Sequence, residues 1–244
     1  MGITLSTYPT YKHEGKSAFD KKTAIIIDVL RATSTIVAAL DAGCIDVLPV
    51  KHLGDGIAMR NELNDGIKAY LCGEVNGVKP EGYDYGNSPS EFEGADISGS
   101  HMILRTTNGT QAIAKAEYSS LMLMGCINNA FAVAEAAAEA GRDIVILCSG
   151  SDLKFAVDDI VTAGMIIEHL ISIGTQMDMD DLSCTALYLY QSNRDRLKSF
   201  ISYTRPYKIL MDLDMECDID YCLKANISDT VPYYRLGRVV PMER

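Results

Sequence analysis

Along this chain, short β-rich apolar runs alternate with segments whose apolar residues recur at helical spacing, the pattern of parallel βαβ units. Residues 24–30, Ala-Ile-Ile-Ile-Asp-Val-Leu, read as a buried strand. Ala32-Thr33-Ser34-Thr35 then reads as the Ser/Thr-capped start of a helix over 36–42 that stops at Gly43. The same reasoning predicts strands over 45–50, 69–72, 102–105, 121–124 and 144–148. It predicts helices near 55–64, from 111 to 116, and from a cap at Asn128-Asn129 to about Ala140. Residues 180–205 read as helical, and from Ile209 the pattern is mixed, closing on the runs 231–235 and 239–241. The fold class predicted is α/β, a three-layer α/β/α arrangement around a largely parallel or mixed central sheet, in a single domain over 1–244.

The segment 75–99 interrupts this rhythm. It is rich in Gly, Pro, Ser and acidic residues and carries Tyr83-Asp84-Tyr85-Gly86-Asn87-Ser88-Pro89. Loops this long inside a compact domain are usually functional, which makes it a candidate active-site loop.

Composition and charge then narrow the function. A chain that is 48% hydrophobic and 23% charged folds rather than staying disordered. Its net charge of -11, without a basic run, excludes a nucleic-acid partner and requires that any anion site concentrate positive charge locally. Residues 1–11 lack a signal-peptide pattern, and no apolar run approaches the roughly 20 residues that span a bilayer, so the expected location is cytoplasmic with no membrane partner. The 7 cysteines include no CxxC pair and read as reduced core residues; the histidines at 13, 52, 101 and 169 lack zinc-site spacing.

In open α/β sheets chemistry gathers beyond the carboxyl ends of strands. Here those ends carry Asp28 with Arg31, Glu74, Arg105 with Thr106-Thr107-Asn108, and Ser149-Gly150. A carboxylate directly after Ala-Ile-Ile-Ile must be compensated, either by a structural ion pair with Arg31 or by a role as metal ligand or nucleophile. Glu74, in Cys-Gly-Glu-Val-Asn-Gly, reads as a solvated turn or a ligand beside a close backbone approach. Asp158-Asp159, near a helix start, serve the helix dipole or a metal. Hard ions such as Mg2+ rest on a few carboxylates plus substrate oxygens, which Asp28, Glu74 and one of that pair supply. Thr106-Thr107-Asn108-Gly109-Thr110 and Arg31-Ala32-Thr33-Ser34-Thr35 offer hydroxyls and amides at helix starts, and Asn87-Ser88 add to them. Two such places suit a ligand with two anionic ends.

Taken in order, Ile-Asp28-Val-Leu-Arg31-Ala-Thr-Ser34-Thr, Gly73-Glu74, Gly86-Asn87-Ser88-Pro89, Thr106-Thr107-Asn108-Gly109-Thr110 and the Asp158-Asp159 helix resemble the 2-phosphosulfolactate phosphatases. The blocks span about residues 24 to 165. The resemblance implies an α/β layered fold and magnesium-dependent hydrolysis of (2R)-2-phospho-3-sulfolactate to 3-sulfolactate and phosphate, a reaction that serves coenzyme M synthesis in methanogens. It implies catalytic roles for Asp28, Arg31 and Asp159, and a Mg2+ site made by Asp28, Glu74 and Asp159. It implies substrate contacts from Arg31, Ser34, Asn87, Ser88, Arg105, Thr107, Asn108, Gly109, Thr110, Ser149 and Gly150. Asp158 stands where the family pattern has Glu, which shortens the reach of that carboxylate. Arg235 is an expected substrate-closing group from the C-terminal region. The expected partner is a small anionic phosphate ester, with a homodimer left open.

The rival readings are a phosphatase for another small phosphorylated acid, an amidase-type cysteine hydrolase with Asp28 as base and Cys148 as nucleophile, and a non-catalytic anion binder. The aspartyl-nucleophile motif DxDx[TV] fails, because Leu30 occupies its second Asp position.

Overall fold

The computed structural model describes residues 2–12, 15–63 and 66–243. Its strands are β1 Ile3–Tyr8, β2 Thr23–Ile27, β3 Asp46–Val50, β4 Ala69–Gly73, β5 Tyr85–Gly86, β6 His101–Arg105, β7 Leu121–Gly125, β8 Ile144–Cys148, β9 Met177–Met179, β10 Pro232–Arg235 and β11 Arg238–Pro241. Its helices are α1 Ala32–Asp41, α2 Leu53–Glu62, α3 Gly109–Lys115, α4 Ala130–Glu139, α5 Val157–Ser172, α6 Asp181–Asn193, α7 Leu197–Ile201, α8 Arg205–Asp212 and α9 Glu216–Cys222. His13 and Asn64, which entered the sequence reading, lie outside the described residues.

All the strands join one mixed, mostly parallel sheet in the order β5-β4-β6-β3-β11-β10-β7-β2-β8-β1-β9. The expected α/β class with a largely parallel sheet is what forms. Two parallel half-sheets, β5-β4-β6-β3 and β7-β2-β8-β1-β9, meet through the antiparallel β10–β11 hairpin, which pairs with β7 through Tyr233 and Leu123 and with β3 through Val239 and Val47. The apolar runs at 231–235 and 239–241 are therefore strands that complete a sheet.

Strands β2 and β8 are buried along their whole length, as parallel strands covered on both faces must be. Their alternate residues divide the core. Ile25, Ile27, Ile144, Ile146 and Cys148 face one cluster with α4, α5 and α6, whereas Ala24, Ile26, Val145 and Leu147 face another with α1, β3 and β6. Cys148 and four other cysteines are buried, and all 7 are free. Among the described residues no helix is long and apolar enough to cross a membrane.

Two predicted caps are not caps. Helix α1 begins at Ala32, and Thr33 and Ser34 lie inside its first turn, where Thr33 Oγ1 accepts from the Asp28 N–H at 3.1 Å and Ser34 Oγ donates to the Val29 carbonyl at 2.9 Å. These hydroxyls satisfy backbone groups of the turn that leaves β2. Asn128 and Asn129 likewise make no cap bond to α4; their amides donate to the carbonyls of Tyr221, Lys224, Met124 and Thr230, tying the C-terminal region down.

The α5–α6 contact depends on Gly164. A Cβ built there would stand 2.0 Å from the Ala186 carbonyl oxygen, so a side chain forces the helices apart. Alanine normally stabilises a helix interior relative to glycine by about 1 kcal/mol. Here Gly164→Ala is expected to cost about 1–3 kcal/mol from overpacking and to lower Tm by about 2–12 °C in a thermal melt. A variant as stable as the parent would show that the helices separate freely.

Candidate functional site

Strand β2 delivers its last residues into a turn, and Asp28 follows directly with 9% exposure. From the next strand over, Ser149 donates its N–H to the Ile27 carbonyl at 2.7 Å, which holds the two strand ends side by side. Helix α5 then sets its first turn against both. Asp159 Oδ1 accepts from the Val29 N–H at 3.0 Å and Oδ2 from the Gly150 N–H at 2.9 Å. Its neighbour Asp158 is 3% exposed, and Asp158 Oδ1 is buried without a hydrogen-bond partner among the described residues.

Like charges are therefore concentrated in a poorly hydrated place. Burial pushes the Asp28 carboxyl up to about 6, the Ala32 N–H opposing and the Glu74 charge adding to the rise. Burial and the Asp28 charge push Asp158 up to about 7. Asp159 is raised well above the usual carboxylate range by burial and by the Asp158 and Asp28 charges, against the pull of its two N–H donors. The helix N-terminus of α5 offsets only part of this repulsion.

Glu74 enters from the other half-sheet, at the end of β4. Its Oε2 accepts from the Gly77 N–H at 2.8 Å, and its Oε1 accepts from the Thr107 N–H and hydroxyl at 2.9 and 2.7 Å. Arg105 lies behind it, donating to the Glu74 carbonyl and pairing with Oε1 at 3.6 Å. The turn 106–109 carries this half across to Asp28: a Cβ on Gly109 would lie 2.8 Å from the Ala32 Cβ and 3.1 Å from Asp28 Oδ2, so only glycine admits that approach.

Arg31 does not pair with Asp28. Its guanidinium donates to Asp218 Oδ2 and to the Gly77 carbonyl, each at 2.7 Å. Asp218, in α9, is 1% exposed and also accepts from the hydroxyls of Ser88 and Ser90, both at 2.6 Å. One buried carboxylate thus fixes Arg31 and the long loop together.

These groups border a crevice of about 350 Å³. Of the predicted site residues it brings together Asp28, Arg31, Glu74, Asn87, Thr107, Asn108, Gly150 and Asp159. Ser34, Ser88, Arg105, Gly109, Thr110 and Ser149 stand behind that lining; Thr110, for instance, bonds back to Thr106 through its N–H and hydroxyl at 3.2 and 3.0 Å. Arg235 is exposed on β10, outside the lining. Cys148 is fully buried and its thiol is pushed far up by burial, which removes it as a nucleophile. The sequence reading missed Asp218 and Arg205. Asp218 had a weak signal, since it shares a helix face with buried Cys222 four residues on.

Among the described residues no three His, Cys, Asp or Glu side chains form a ready-made metal cage. The donor set still suits a hard divalent ion, which needs only one or two carboxylates beside water and substrate oxygens. Asp158 Oδ1 and Asn87 Oδ1 are buried oxygens of residues on the crevice lining without partners among the described residues, and Asp28, Asp158 and Asp159 have no ion pair there, Arg31 being committed to Asp218 and Arg105 to Glu74.

A family model described as 2-phosphosulpholactate phosphatase matches residues 8–237. A probable 2-phosphosulfolactate phosphatase of Clostridium acetobutylicum is 38% identical over 219 residues, covering 90% of this chain and 92% of that protein. Another, from Caldanaerobacter subterraneus subsp. tengcongensis, is 37% identical over 235 residues, covering 96% and 97%.

The raised carboxyls make stability depend on pH. Between their ordinary 3.8 and about 6 to 7, the folded protein keeps protons that the unfolded chain has released, so stability falls as pH rises through that window. Asp158→Asn removes one of these charges and, in EDTA, is expected to raise Tm at pH 8 by about 2–10 °C, with a smaller gain at pH 5 and none near pH 3. A variant that melts lower than the parent at pH 8 would show that the charge is already compensated.

Proposed function

The chain belongs to the 2-phosphosulfolactate phosphatase family and is a phosphoric monoester hydrolase; on that premise we propose that it hydrolyses (2R)-2-phospho-3-sulfolactate to 3-sulfolactate and phosphate, with Mg2+ as its ion. The observation that carries this reading is the meeting of Asp28, Asp158 and Asp159 with Glu74 and the Thr107-Asn108 turn around one small crevice. A dry cluster of acids beside amide and hydroxyl donors is poorly suited to an anion until a cation joins it, and well suited to a phosphate ester once one does.

Asp28 would hold the ion, joined by Asp158 through its unpartnered Oδ1, with Glu74 and Asp159, whose oxygens already accept N–H donors, close by to complete its surroundings through water. When bound, it neutralises this cluster and draws charge from the phosphoryl oxygens. The protein's own groups do the rest. Asn108 and the Asn87 side chain, an amide from the long loop, border the space for the phosphoryl group, while Thr107 and Gly150 hold the Glu74 and Asp159 carboxylates beside it. Arg31, kept planar and immobile by Asp218 and the Gly77 carbonyl, presents fixed positive charge without having to reorganise. Asp28 lines the crevice beside Glu74 and the Thr107 turn. Water adds its hydroxyl to phosphorus as the P–O bond to the C2 oxygen breaks, and the water's proton ends on that C2 oxygen.

Phosphate release from phosphosulfolactate is expected to stop in excess EDTA and return with magnesium or manganese, and magnesium is expected to raise Tm. Full activity in EDTA, with no shift in Tm, would remove the metal from this scheme. Asp28→Asn is expected to lower turnover at least ~100-fold while its circular dichroism stays that of the parent. Near-normal turnover in a folded variant would make Asp28 structural.

A further inference from the structure

Among the described residues the cations that line the crevice are Arg31 and Arg205, and they stand in opposite states. The Arg31 side chain is 3% exposed and fully engaged, its charge answered by Asp218 at 2.7 Å. Among the described residues Arg205 pairs with Asp152, and those side chains are 58% and 54% exposed. An ion pair that open to water contributes little and is readily exchanged for another anion.

The backbone beneath Arg205 is nevertheless fixed. It is the first residue of α8, after Thr204, whose hydroxyl accepts from the Tyr207 N–H at 3.4 Å, and the helix is anchored by buried Leu210. Arg205 also stands on a wall between two spaces. A larger cavity, about 650 Å³, adjoins the crevice and shares Ser151, Ala156, Arg205 and Pro206 with it. That cavity adds Lys154 and Arg196, so positive charge gathers on the outer side of the wall while the carboxylates gather on the inner side.

Among the described residues that line the crevice, a substrate with its phosphoryl group among the carboxylates and the Thr107 turn therefore meets an exchangeable cation towards α8. We propose that Arg205 is the specificity-determining residue that receives the second anionic group of the substrate, the sulfonate in phosphosulfolactate, by exchanging Asp152 for it. This rests on the hydrolase reading of the crevice and assigns its far end. A guanidinium offers a planar pair of N–H donors that matches two oxygens of a sulfonate or carboxylate, which a backbone turn does not.

The test compares kcat/KM for phosphosulfolactate, phospholactate and p-nitrophenyl phosphate in the parent, Arg205→Gln and Arg205→Lys, with thermal melts to confirm folding. Arg205→Gln is expected to lose ~10- to ~150-fold on phosphosulfolactate, mostly in KM, and at most ~3-fold on the two esters without a sulfonate. Lysine keeps the charge without the fork and is expected to recover part of the loss. Equal losses on all three esters, no loss on phosphosulfolactate, or a Lys variant no better than Gln would each overturn the assignment. A parent enzyme that prefers a different phosphorylated acid would instead overturn the proposed substrate; the same variants, tried on that acid against p-nitrophenyl phosphate, then decide the role of Arg205.

Discussion

The Asp159 carboxylate occupies the point where β2 and β8 run out of sheet partners. One oxygen takes the Val29 N–H and the other the Gly150 N–H, so two backbone donors that leave the sheet are answered by a single side chain on a third element. This sets the first turn of α5 over the strand ends and forces the preceding residue, Asp158, into the same buried place as Asp28. The repulsion among the three carboxyls is a consequence of that anchoring. The fold stabilises the strand ends with an anion, and the site inherits an excess of negative charge that suits a cation and its phosphate ligand.

A second buried carboxylate orders the opposite wall. The segment after β4 has few regular hydrogen bonds of its own, yet Gly77, Ser88 and Ser90 are drawn to the Arg31–Asp218 pair. Breaking a buried pair of this kind by removing one partner typically costs about 3–5 kcal/mol, because the other charge is stranded. Arg31 therefore acts less as a mobile phosphate clamp than as a rigid post. Its counterpart Arg205 is built in the opposite manner, on a fixed helix but with a side chain in water.

The strands that build the site were legible because continuous burial leaves a continuous apolar run, as in Ile25-Ile26-Ile27 and residues 144–148. Asp28 was legible for the same reason: a carboxylate after such a run has to be explained. The hydroxyl-rich starts were harder. Thr33, Ser34 and Thr110 carry the residue types of an anion site, but each spends its hydrogen bonds on the adjacent backbone, and only spatial neighbours reveal which use wins. Asp218 was nearly invisible, since Glu216 and Asp220 surround it in the chain and nothing local says which acid turns inward. Its partner is 187 residues away. Spacing alone did not separate Asp158 from Asp159, whereas the family resemblance placed the roles on Asp159; the difference between a satisfied and an orphaned oxygen is set by two turns on other elements.

The β10–β11 hairpin acts as a clasp between two half-sheets that each carry part of the chemistry, Asp28 and Gly150 on one side, Glu74 and Thr107 on the other. Its ladder contacts join Val239 to Val47 and Tyr233 to Leu123, residues far apart in the chain, and such closures come late because the entropy of bringing distant segments together opposes them. The crevice is thus a property of the finished chain topology: the strand ends that carry Asp28 and Gly150 and those that carry Glu74 and Thr107 share one sheet only through the hairpin that joins β3 to β7.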